Sequence, residues 1–100
     1  MSVETTPVSM TVPLPAILDL AAAAPLTERL LAARGTDLTI DASEVLRIGG
    51  LCLQTLVAAA KTWSADRASF EIAQPSAEFL EALQRFGIEP GILAVREPSL

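Results

Sequence analysis

Apolar and polar positions alternate with a period of two over residues 8–12, with Val8, Met10 and Val12 on one side and Ser9 and Thr11 on the other. That pattern predicts a β-strand. Pro13 and Pro15 each lack an amide hydrogen, so residues 14–18 read as a second extended piece at a sheet margin. From Leu20 the period lengthens. Ala23, Leu26, Leu30 and Ala33 recur at helical spacing, Asp19 stands in the turn ahead, Pro25 falls in the first turn, and Gly35 offers the left-handed residue that ends the helix. Residues 38–40 are a short apolar run between Asp37 and Asp41, suited to a buried strand. A second helix is predicted from about Gly50 to Trp63, burying Leu53, Leu56, Val57 and Ala60 and turning Lys61 and Thr62 to solvent.

After a turn at 64–67, residues 68–73 read as a strand pointing Phe70 and Ile72 inward, and Ser76 as the N-cap of a last helix. Phe79, Leu80, Leu83 and Phe86 line its inner face, Gly87 closes it, and Ile88 follows with an apolar contact. Residues 92–95 suit a short edge strand. Alternation of this kind predicts a single α/β domain over 8–95, a mostly parallel sheet of four to five strands with helices covering it. The ends, 1–7 and 96–100, read as flexible. In such a sheet, the loops at the carboxyl ends of the strands are the usual place for function, here 41–50 and 73–76.

Composition narrows the chemistry. With 100 residues, 51% of them apolar, the chain makes one core. A net charge of −5 repels an extended phosphate backbone, so nucleic acid is not an expected partner. The longest apolar stretch is interrupted by Asp19, Pro25, Glu28 and Arg29, and the first ten residues carry Glu4 but no Lys or Arg. The expectation is a soluble, cytoplasmic protein with neither a membrane span nor a secretory signal. No histidine is present and Cys52 is the single cysteine. These counts exclude Ser-His-Asp and Cys-His nucleophile systems, an intrachain disulfide and typical zinc sites, so neither catalysis nor a metal or other cofactor is expected.

The segment 41–56, Asp41-Ala42-Ser43-x-Val45-x-x-Ile48 followed after four residues by Leu53-x-x-Leu56, resembles the central signature of STAS domains (sulfate transporter and anti-sigma factor antagonist), D-L-S-x-V-x-x-I-D-S-S-G-L-x-x-L. Leu14-Pro15-Ala16-Ile17-Leu18-Asp19 is similar to the family's L-x-G-x-L-D strand, and Gln74-Pro75-Ser76 to the motif before its last helix. The likeness spans about residues 8–88. It implies an anti-sigma factor antagonist-like interaction module, and the Gly-Gly-Leu-Cys-Leu-Gln run with an Ala-rich, Trp-containing helix is similar to small STAS proteins of bacterial chemotaxis. The implied partner is a chemotaxis histidine kinase. The alternatives are a cytoplasmic STAS subunit of a lipid-transport ABC complex and an anti-sigma factor antagonist. Least favoured is an enzyme or small-molecule binder that shares only the fold. Laid on the signature without gaps, Leu51 takes the place of the family's phosphoacceptor serine or threonine, so the phosphorylation cycle does not transfer to that position.

The candidate docking site is the strand-to-helix junction, with Ser43, Arg47, Gly49, Gly50, Leu51 and Gln54 at its centre. The first amides of a helix have no internal acceptor, and a glycine pair permits close approach of a partner. The same glycines equally suit a tight turn, and neither G-x-G-x-x-G nor a P-loop pattern is present. Leu51 is open to either core or surface. Cys52 reads as a buried, inert thiol. Ser43 and Thr55 are the phosphorylatable groups nearest the junction, Ser43 reading first as a partner of its own loop. Asp37 and Asp41 read as solvated strand ends, not a catalytic pair, and Trp63 as packing at the sheet edge. A monomer or weak dimer is expected.

Overall fold

In the computed structural model, residues 9–96 are described. Strand β1 (Ser9–Pro13) leads to β2 (Ile17–Leu18), and a 3-10 turn at Leu20–Ala22 enters helix α1 (Ala23–Ala32). Next come β3 (Asp37–Asp41), β4 (Arg47–Ile48), α2 (Gly50–Ala65), β5 (Phe70–Ala73), α3 (Ala77–Arg85) and a second 3-10 turn, Pro90–Leu93. Val8 and the ends expected to be flexible, 1–7 and 97–100, fall outside the described residues, whereas Arg96 falls within them.

All strand pairs are parallel, and the expected sheet divides in two: a three-stranded sheet ordered β1-β3-β5 and a two-stranded one of β2 and β4. Proline causes the division. The amide of Leu14 still donates to the Asp41 carbonyl at 2.9 Å, but Pro15 has no donor to continue the ladder. Both chains bend there and pair again as Ile17 with Arg47 and Leu18 with Ile48. Strand β4, at two residues, is too short to show a period, and it lies inside the segment 41–50 that the pattern predicts as a loop.

Val12, Leu38, Ile40 and Ile72 are buried, while their alternating neighbours Thr11, Thr39 and Glu71 keep access to solvent. The main sheet is therefore covered on one face only, and β3 is half-buried instead of enclosed on both sides. Over that face lie Leu26 and Leu30 of α1, Leu53, Leu56 and Trp63 of α2, and Phe79 and Leu83 of α3, in one continuous core. Val57 and Ala60 are only partly buried; Cys52 and Ala59 take the inner positions beside them. Trp63 is a core residue, its indole N–H donating to the Thr36 carbonyl at 2.7 Å and its ring tilted against Phe70.

Local signals place the ends of the helices. Gly35 and Gly87 have φ of +92° and +69°. At the end of α3, the Ile88 amide donates to the Leu83 carbonyl (2.9 Å) and the Gly87 amide to the Gln84 carbonyl (3.1 Å), a Schellman pair that folds Ile88 back on the core. Two expectations need correction. Phe86 is not on the inner face of α3: it is the C-cap, past the last helical turn, and its side chain is 48% exposed. The strand expected at 92–95 reduces to a single bridge between Ile72 and Val95, because the chain is wound into the 3-10 turn and then takes a left-handed step at Ala94 (φ +50°).

Candidate functional site

Two loops meet at the carboxyl ends of β3 and β5. The Ala42 amide donates to the Ala73 carbonyl (3.1 Å) and the Ser76 amide to the Ala42 carbonyl (3.1 Å). Ser76 does further work through its hydroxyl, which donates to the Val45 carbonyl (2.6 Å) and accepts from the Phe79 amide (3.0 Å) as the cap of α3. Within the first loop, the Asp41 carboxylate accepts the Ser43 amide at 2.9 Å, an Asx turn. Bonds from the Ser43 hydroxyl and then its amide hold the Asp41 carboxyl below the usual carboxylate range. Asp37 similarly accepts the Ser69 amide at 2.8 Å, so both acids serve strand ends.

From this scaffold, β4 delivers Arg47 outward, in register with Ile17, and Ile48 inward. Gly49 then accepts the first helical bond of α2, from the Leu53 amide at 3.1 Å. Gly49 is the N-cap and supplies no side chain to the amides of the first turn, unlike Ser76 at α3. Neither glycine of the pair has a positive φ, so the turn does not demand them. A Cβ on Gly49 would meet only the Leu18 carbonyl oxygen, at 3.7 Å; one on Gly50 would come within 3.1 Å of the Phe86 ring. Gly50 is thus covered by an aromatic ring of the chain itself, whereas Gly49 has room for a Cβ but spends its own amide on the Leu18 carbonyl at 2.9 Å.

Leu51 lies at the surface, 52% exposed, in the first turn of α2. Ser43, Arg47 and Gln54 are each exposed, and Arg47 forms no ion pair among the described residues. The structure also adds exposed Leu46, Ile17 and Phe86 to this end of the molecule, none of which the sequence assigns to the docking site. Only Leu46, an apolar residue inside the signature segment, carried a signal that could have found it. Thr55 donates its hydroxyl to the Leu51 carbonyl at 2.9 Å, which occupies its proton within its own helix. Cys52 is buried beside the Asp19 carbonyl, 3.4 Å from its sulfur, and burial with the nearby Asp19 charge pushes its thiol pKa up. The thiol is therefore protonated and shielded near neutral pH. Among the described residues, no group of three or more potential ligands is placed to hold a metal ion, and no helix is long and apolar enough to cross a membrane.

A parallel α/β fold with a Gly-Leu helix start directly after β4 defines a STAS-type interaction domain. The chain belongs to the STAS family: the model described as "Mlab, STAS domain" matches residues 1–94, nearly its whole length. Domains of this family serve generally as non-catalytic binding modules in signalling and anti-sigma antagonist-like roles. No curated protein matches the sequence significantly.

Proposed function

We propose that this STAS domain is a non-catalytic docking module of bacterial signalling, acting in the cytoplasm, and that its partner is a chemotaxis histidine kinase. The docking surface is centred on Ser43, Arg47, Gly49, Gly50, Leu51 and Gln54. One observation carries the reading: Leu51, in the place of the family's phosphoacceptor, stands half-exposed on a helix start that no side chain caps. A partner carbonyl or carboxylate satisfies the free amides of that turn, and the leucine adds apolar contact in place of a phosphate. Docking here is independent of phosphorylation at this position, which disfavours the anti-sigma antagonist cycle.

A second reading keeps the surface and changes the partner, to the ATPase of a lipid-transport ABC complex braced by this subunit. It rests on family membership alone, which leaves the kind of protein partner open. The two are separated by mixing the purified chain with the cognate kinase and with the cognate ATPase on gel filtration at micromolar concentration. Co-elution with the kinase, lost in Leu51→Glu, is the expected result. Separate elution from the kinase would refute the first reading, and an unaltered complex with Leu51→Glu would refute the surface.

A further inference from the structure

We propose that the outer face of α1 and α2 is a self-association surface, on which two copies of this chain pair about a two-fold axis. A cleft of about 240 Å³ runs between the two helices, floored by buried Leu30 and Trp63. Its walls are Thr27 and Leu31 on α1 and Thr55, Ala58 and Thr62 on α2, spacings of three and four that keep each set on one helix face.

The three threonine hydroxyls are spent within their own helices. Thr27 donates to the Ala23 carbonyl at 3.0 Å, Thr55 to Leu51 at 2.9 Å and Thr62 to Ala58 at 3.1 Å. The walls therefore offer methyl groups and no free donor, and burying them leaves no polar group unpaired. Leu31, 63% exposed, projects at the rim of the same cleft. Knob and hole on one face are what an isologous contact requires, since each copy then fills the other.

Local charge on this face fits a second copy as the occupant. Two chains of net charge −5 repel overall, so a contact between copies needs a face where that charge is absent or paired. Arg34 is the one charged residue lining the cleft, and Asp66 neutralises it through a two-pronged pair at 2.9 and 3.2 Å. Beside the walls, exposed Glu28 follows Thr27 on α1 and exposed Lys61 precedes Thr62 on α2. A two-fold axis that lays α1 of one copy along α2 of the other sets Glu28 against Lys61 twice.

Sedimentation equilibrium of the full chain tests this. The apparent mass is expected to rise with concentration from 10.5 kDa toward twice that value, and Ala58→Arg, at an exposed position, to hold it at 10.5 kDa with unchanged circular dichroism. Glu28→Lys shifts the net charge by two, from −5 to −3, so general repulsion alone would strengthen association. Pairing with Lys61 predicts instead a roughly tenfold weakening, restored by adding Lys61→Glu. Wild-type mass that stays at one chain up to about 1 mM overturns the proposal. So does association undiminished in Ala58→Arg, or a charge exchange that fails to restore it.

Discussion

The ring of Phe86 lies over Gly50, so close that a Cβ there would sit 3.1 Å from its Cε1 atom. This contact joins the end of α3 to the start of α2 and accounts for a glycine that the backbone angles alone do not require. Because the ring is half-exposed, it can swing aside by a few tenths of an ångström. Gly50→Ala is therefore expected to leave stability within about 1 kcal/mol of wild type, the gain from helix propensity offsetting the displaced ring. Urea melts check this; a loss above about 2 kcal/mol would mean that the ring is fixed.

Ser76 joins three segments through one hydroxyl, capping α3 and holding the Val45 carbonyl. Ser76→Ala removes both bonds, and the expected cost is about 1–3 kcal/mol. Ser76→Asp keeps an acceptor for the cap but turns a carboxylate toward the Val45 carbonyl, so it recovers little. Thermal melts of the two variants decide between a cap and a two-sided tie.

Cys52 is expected to resist thiol reagents in the native protein. Burial and its raised pKa both suppress the thiolate, so labelling by an aromatic disulfide at neutral pH should be slow and should accelerate across the unfolding transition. Rapid labelling without denaturant would show that the start of α2 opens readily.

Acid sensitivity follows from Asp41. Its folded-state pKa is depressed, so its contribution to stability is fully present above the unfolded carboxylate pKa, about 4, and is lost as the pH falls through the lower folded value. Asp41→Asn retains an oxygen for the Ser43 amide but cannot titrate. The variant is expected to show a shallower loss of stability than wild type below about pH 4, measured as urea midpoints along a pH series.

Much of the architecture was legible because its signals are local. A glycine with positive φ at Gly35 and Gly87, a capping serine at Ser76 and a change of period at Leu20 each act within one turn of chain. The span of α2 and the parallel βα order followed from them. The proposed docking residues were legible only as a position, since a motif places Leu51 at a helix start without saying which way its side chain faces.

What the chain by itself determined was therefore the order of the three helices and of the strands β1, β2, β3 and β5, the family and the absence of histidine chemistry. Tertiary structure alone decided that the strands split into two sheets, that Arg47 and Ile48 pair with Ile17 and Leu18, that Phe86 leaves the core to cover Gly50, and that Leu51 meets solvent. The reason is physical. A two-residue strand has no period, and the side on which an apolar residue ends depends on partners that lie tens of residues away and meet only when the sheet and helices close around one core.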